Sequence, residues 1–472
     1  VVQPHYAGDD PSQEHPGVYG GDCYLARLST DGKRLLAATY FGGSKQERNI
    51  YGMALDKQGD VVFCTATRST NWPTTQGCFQ PKYAGGPSDW GVAKLSHDFR
   101  SIRWCTYVGG SGDDFPRGGL ALDIQGNVIA VGTTTSPDFP TTPGVVQPKR
   151  KGPRDSVLAK LKADGSGLVF GTLLGGSDED DAIMGVRLDA AGNLYIAGHT
   201  KSADFPVTPG AAQFKFGGQY DCYLAKLSPD ASRLLFATFL GGKRNEFAEH
   251  RPWLTLDGRL LLTGFTDSPD FPTTPKAYQH ELRGKSAGFL AKLSPDGKSF
   301  DFSTLLGGSG GENWLMPTRD EQGNIWIVGQ TSSRDFPVTS NAWQRHYGGG
   351  SSDGALAVFS PDGSHLLYAT YLGGSGEDII RSLTLLPNGD IYLVGSTDSI
   401  DFPVTVGVIQ STLGGKSDAF VVKFVLKRGE IGRLDITQQI NAGKSLKKVD
   451  RSPETNRQYE ARYLRAKGGP SS

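Results

Sequence analysis

Three kinds of residue that usually carry protein chemistry are scarce in this sequence: it has 5 cysteines, 3 methionines and 8 histidines in 472 residues. Cys23, Cys64, Cys78, Cys105 and Cys222 form no CxxC, no zinc spacing and no haem-attachment motif. Their odd number leaves at least one thiol unpaired within the chain, so they do not set the redox compartment. Neither sign of charge prevails, with 49 Lys plus Arg against 49 Asp plus Glu. Average charge therefore gives no reason to expect nucleic acid or a membrane surface as partner. No apolar run is long enough to span a bilayer. The body has no helical periodicity, no GxSxG nucleophile turn and no phosphate loop leading into a helix.

What is abundant is glycine, 64 residues, in a chain that is 37% hydrophobic. That composition affords a core and many turns. An aromatic-proline pair recurs at Trp72-Pro73, Phe139-Pro140, Phe205-Pro206, Phe271-Pro272, Phe336-Pro337 and Phe402-Pro403. A glycine pair recurs at Gly42-Gly43, Gly109-Gly110, Gly175-Gly176, Gly241-Gly242, Gly307-Gly308 and Gly373-Gly374. Both series step by 65 to 67 residues, so one unit is repeated along the whole chain.

Four short strands are predicted in each unit. After the third glycine pair they are IMGVRLD from Ile183, LYIAGHT from Leu194, DCYLAKLS from Asp221 and LLFATFLGG from Leu234. The short connections carry Gly-Asn or Asp-Gly hairpin chemistry, and a long one carries DFP. Repeated four-stranded antiparallel units with glycine and aromatic punctuation predict the blades of an all-β propeller. The string YLGGSGED…DIYLVGSTDSIDFPVT, Tyr371 to Thr405, resembles the SBBP (seven-bladed β-propeller) repeat, and six such matches cover most of the chain from Asp22 to about Val425. The strand order is also similar to NHL-type blades, which implies that the strand after the glycine-acid loop is innermost.

VVQP at Val1 to Pro4 matches VVQP at Val145 to Pro148, so the chain enters in mid-repeat. With the NHL order it opens on the third and fourth strands of a blade. Six complete repeats plus a partial one are compatible with six or seven blades, and the resemblance favours seven. The expected organisation is a partial repeat with an enlarged loop over 1–21, a propeller over 22–426 and a basic extension over 427–472. From Lys427 onward there are eleven basic and five acidic residues, and EIGRLDITQQI offers one further strand before a polar arm. Such an arm suggests self-association through an acidic surface.

In this strand order the glycine-acid loops and DFP connections share one face, where long loops would place function. A carboxylate stands four residues after every second glycine: Glu47, Asp114, Asp180, Glu246, Glu312 and Asp378, reinforced by Asp113, Asp178, Glu179, Asp181 and Glu377. Two readings are open. The carboxylates form a ring at the channel mouth that binds a basic segment or calcium, the latter at Asp114, Asp180 and Asp378; or each accepts N–H groups of its own tight turn. For the DFP aromatics the expectation is a wedge between blades, and for the strand-start aspartates, replaced once by Ala287, a turn cap.

The fourth unit departs from the others, reading KRNEFAEHRPW after Gly242. It presents Glu249, His250, Arg251 and Trp253, which Arg117, Trp314 and Arg381 could join from other blades. A histidine beside a carboxylate suits acid-base catalysis, with arginine holding an anion. The expected function is nonetheless non-catalytic: a secreted or envelope-associated binding and assembly platform for protein or glycan partners, the localisation resting on the resemblance. No cofactor other than calcium is expected. The alternative is a carbohydrate-active lyase or hydrolase centred on the fourth unit.

Overall fold

Alternating β-branched, aromatic and leucine residues, cut every few positions by Gly, Pro, Asn and Asp, leave the chain little choice but short antiparallel strands. The computed structural model describes residues 1–8, 21–28, 35–182, 185–248, 252–386, 390–406, 410–426 and 436–438, and there the regular structure is all β. Seven antiparallel sheets follow one another along the chain as the blades of a β-propeller. Blade one holds Cys23–Leu28 and Leu35–Phe41. Each later blade has four strand positions; blade four, for example, comprises Asp180–Asp181 with Val186–Leu188, then Leu194–Thr200, Asp221–Leu227 and Leu234–Leu240. Blade seven ends on Ile436–Gln438, which pairs with Asp418–Leu426 through Val425↔Thr437 and its neighbours.

The innermost position differs from the single strand expected. In blades three, four and five it is two short pieces, and in blades six and seven one bulged strand, Glu312–Arg319 and Asp378–Leu385. Crowding near the axis accounts for the break in blade three. A Cβ on Gly118 would stand 2.3 Å from the Ala182 carbonyl of blade four, and Pro116 removes a ladder donor.

Among the described residues the core is divided rather than single. Six buried hydrophobic clusters lie between successive blades, each built from the facing sides of two sheets. The DFP aromatics are part of this packing: Phe205 stacks 4.3 Å from Tyr223, and Phe402 4.6 Å from Phe420. Trp314, expected at the channel mouth, is instead fully buried; it packs against the Gly288 backbone and donates its indole N–H to the Leu306 carbonyl at 3.2 Å. Trp253 is half-buried against the cluster shared by blades five and six. All five cysteines are free thiols, and burial pushes Cys23 up to about 12.

Among the described residues, blade one has two strands, and no buried cluster lies between blade seven and blade one. Tyr24 occupies in blade one the place of Tyr223 in blade four. Tyr24 is 73% exposed, whereas Tyr223 is 0% exposed, facing Phe205 and bonding the Ser156 hydroxyl at 2.7 Å. Val421, 62% exposed, shows the matching openness on blade seven. Tyr223→Ala should therefore destabilise by about 3–5 kcal/mol through the cavity it leaves. Tyr24→Ala should change stability by no more than about 0.5 kcal/mol; urea unfolding midpoints of the two variants check the contrast.

Candidate functional site

A blade's inner strand begins just after its glycine pair, where two backbone N–H groups turn away from the sheet and require acceptors. The first glycine donates to a glutamine: Gly109 to Gln80 Oε1 at 3.1 Å, Gly175 to Gln147 at 3.0 Å, Gly373 to Gln344 at 3.0 Å. The second donates to the carboxylate four residues on: Gly110 to Asp114 at 2.7 Å, Gly176 to Asp180 at 2.8 Å, Gly242 to Glu246 at 2.9 Å, Gly308 to Glu312 at 3.3 Å, Gly374 to Asp378 at 2.7 Å. A threonine and a serine hydroxyl complete each carboxylate's partners; Thr134 and Ser136 reach Asp114 at 2.5 and 2.8 Å, and Thr67 reaches Glu47 at 2.8 Å.

The carboxylate series thus lies beneath the surface, each member buried in its own turn. Among the described residues no three metal-ligating side chains come together. Of the reinforcing acids, Asp113 accepts the Ser88 hydroxyl at 2.6 Å, and Glu377 accepts that of Ser351 at 3.1 Å. Glu179 takes Lys201 at 2.8 Å and Tyr220 at 3.1 Å.

The strand-start aspartates lie on the other side of the first glycine. A Cβ on Gly109 would meet Asp89 Oδ1 at 2.4 Å and Asp114 Oδ2 at 2.9 Å, so only glycine fits between the two acids. Asp89 accepts the Ala84 N–H at 2.7 Å, Asp155 those of Lys151 and Gly152 at 3.0 Å. The DFP aspartates fasten the loop above: Asp138, Asp204, Asp335 and Asp401 each accept both the N–H and the hydroxyl of the serine after a glycine pair, at 2.7–2.9 Å. The glycine-acid loops and DFP connections are thereby tied together on one face.

Above this bed the repeats diverge. The residue after the buried carboxylate and its cross-strand partner are Phe115 and Thr133 in blade three, Asp181 and His199 in blade four, Phe247 and Phe265 in blade five, Asn313 and Gln330 in blade six, and Ile379 and Ser396 in blade seven. In blade four, His199 Nε2 lies 3.1 Å from Asp181 Oδ2, and Arg154 Nη1 lies 3.7 Å from the same oxygen. Burial acts to raise the Asp181 carboxyl, but the His199 hydrogen bond and the charges of His199, Arg154 and Arg117 hold it below the ordinary range. His199 Nδ1 is buried without a partner. Tyr220 and His199 each stand near Phe247, both at 5.0 Å between ring centres, and Phe265 continues the ridge at 5.4 Å.

Glu249, His250 and Arg251 lie outside the described residues, as does the enlarged loop over 9–20. Arg117 and Arg381 are exposed. In the sequence Asp181 reads only as one more acid of the ring; its pairing with His199 and the Tyr220–Phe265 ridge have no local signature, because the partners stand at least 18 residues apart in the chain. Comparing the repeats position by position, at the residue after each buried carboxylate, would have found them.

Residues 367–403 match the family model described as Beta-propeller repeat (SBBP). No curated protein matches the chain. Similar solved structures include a Dyadobacter fermentans protein of unknown function, 10% identical, TM-score 0.38, over 75% of this chain and 91% of that one. Kuenenia stuttgartiensis hydrazine synthase is 9% identical with TM-score 0.39, over 79% of this chain and 86% of that one. Comamonas testosteroni quinohemoprotein alcohol dehydrogenase is 9% identical with TM-score 0.42, over 80% of this chain and 61% of that one.

The buried acids tie stability to pH. Desolvation, reinforced by acidic neighbours, raises Glu47, Asp89, Asp180 and Asp221 to about 7 and Asp114 and Asp353 to about 6. Each binds a proton more readily folded than unfolded, so its unfavourable contribution is absent below the unfolded value near 4 and complete above 7. On the opposite face Asp56, Asp123 and Asp189 are buried enough for desolvation to oppose ionisation, yet Lys94, Lys160, Lys226 and hairpin hydrogen bonds hold them low. Their stabilisation is lost only as pH falls below about 4. Thermal melts at fixed ionic strength should give a melting temperature that falls between about pH 4.5 and pH 7, most steeply between about 5 and 6, and levels off above about 7.

Proposed function

We propose that this chain is a non-catalytic, secreted or envelope-associated propeller that holds partner molecules on its long-loop face. The observation carrying this reading is the division of labour within the repeat: glycines, glutamine, carboxylate, threonine and serine recur, while the side chains standing directly above them change from blade to blade. Selection for folding alone would leave those upper positions as uniform as the bed below. The extracellular or envelope setting is argued from the resemblance of residues 367–403 to the SBBP repeat, and fits a chain in which no helix among the described residues is long and apolar enough to cross a membrane. The basic segment from Lys427 is a second contact element, suited to an acidic surface and weakened by salt.

A catalytic reading is favoured by one observation, the partly buried Asp181–His199 pair with Arg154 beside it. Such a group could move a proton on an anionic sugar.

Surface plasmon resonance against purified envelope glycans and envelope proteins separates the readings. Tyr220→Ala or Arg154→Ala should weaken retention at least tenfold, whereas Lys298→Glu, on the short-hairpin face, should not. Persistence of binding in both face variants overturns the platform reading. Release of new reducing or unsaturated ends, lost in His199→Ala, would establish the catalytic one.

A further inference from the structure

Where blades five, six and seven meet on the long-loop face there is an open cleft of ≈ 320 Å³, within the size range of small-ligand sites. Phe265 forms one wall; Asn313, Gln330, Ser332, Ser352 and Glu377 are among the polar residues that line the rest. These are an aromatic face, two amides, two hydroxyls and one exposed carboxylate.

Two polar atoms in this lining are buried without a partner, Ser352 Oγ and Asn313 Oδ1. Ser352 is only 4% exposed. The equivalent Ser88 donates to Asp113 at 2.6 Å, but in the cleft the acid equivalent to Asp113 is Glu377, which accepts from Ser351 instead. Buried polar atoms are ordinarily hydrogen-bonded, and an unmatched hydroxyl and an unmatched amide oxygen in one cleft call for a ligand whose groups both donate and accept.

We infer that this cleft binds a neutral saccharide. The inference rests on the platform reading and names the ligand class for one part of that face. A sugar hydroxyl both donates and accepts, so it can answer an unmatched Ser hydroxyl and an unmatched amide oxygen. Vicinal hydroxyls suit Gln330 and Glu377, and the apolar face of a pyranose ring suits the side of Phe265. That ring continues through Phe247 to Tyr220, an aromatic track along which further sugar units can lie. Among the described residues no lysine or arginine lines the cleft, and Glu377 repels anions, so an acidic polymer is disfavoured. A single exposed carboxylate is a weak anchor for a basic peptide.

The test is isothermal titration of the full 472-residue chain with four neutral hexasaccharides: cellohexaose, chitohexaose, mannohexaose and xylohexaose. At least one should bind with a dissociation constant below about 1 mM. Phe265→Ala and the double variant Asn313→Ala/Ser352→Ala should each weaken it at least tenfold. Phe265→Tyr, which keeps the ring, should retain it, and so should Lys298→Glu. Thermal melts verify that each variant is folded. Failure of all four sugars to bind, or binding indifferent to both cleft variants, overturns the saccharide assignment. If envelope proteins are still retained in a Tyr220- and Arg154-dependent manner, the platform reading survives that failure; if nothing is retained, both fall.

Discussion

The hydrogen bond on which the molecule depends is the one from the second glycine of each pair to a buried carboxylate four residues later. At that point the chain leaves the outer strand of one blade and enters the inner strand of the next, and the turn leaves N–H groups with no place in either ladder. An unpaired buried N–H is costly, and so is an unpaired buried carboxylate; each is the other's remedy. The threonine and serine hydroxyls add donors to the carboxylate, and the glutamine takes the N–H of the first glycine. A Cβ on the first glycine would collide with the acids on both sides. The corner is therefore specified by five residue types at once, which explains why they return together every 66 residues or so.

Fixing the corner in this way frees what lies above it. Two side chains per blade stand over the bed without holding it together, and the described blades use that freedom unequally. Blade four carries a charged group around Asp181 and His199, blade five an aromatic pair, blade six two amides. Side by side they make a graded surface, ionic at one end and neutral and hydroxyl-rich at the other. The opposite face is treated more uniformly: lysines of the third strands pair with hairpin aspartates as Lys94–Asp56, Lys160–Asp123, Lys226–Asp189 and Lys423–Asp390. Ion pairs repeated in this fashion brace hairpins, and offer no comparable variety to a ligand.

The carboxylate series illustrates how far residue pattern can be read. Its regularity was visible, and so were both explanations of it, an open ring or a set of turn caps; nothing in the order of letters distinguishes an acid facing a channel from one facing its own backbone. Each side chain's burial and its three donors make the turn role plain. Trp314 shows the converse. The sequence allows this tryptophan to join the fourth-unit residues as a binding side chain, but the strand turns it inward, where the small Gly288 leaves room for the indole. The recurring glutamines, Gln80, Gln147, Gln213 and their counterparts, drew no notice in the sequence, since an amide that bonds a glycine 28 or 29 residues ahead has no local signature.

Period, strand content, blade architecture and the structural role of the DFP wedge were all determined by sequence, because each depends on local chemistry repeated many times: hairpin turns, alternation, and an aromatic at a constant distance from a glycine pair. Tertiary structure alone decided which polar side chains are consumed by the scaffold and which remain for a partner. It also decided that Tyr24 and Val421 lie open where their equivalents in other blades are covered. The first turns on hydrogen-bond partners 4 to 29 residues away that no local pattern pairs, and the second on what stands across a blade junction, as Ser156 does for Tyr223, 67 residues on.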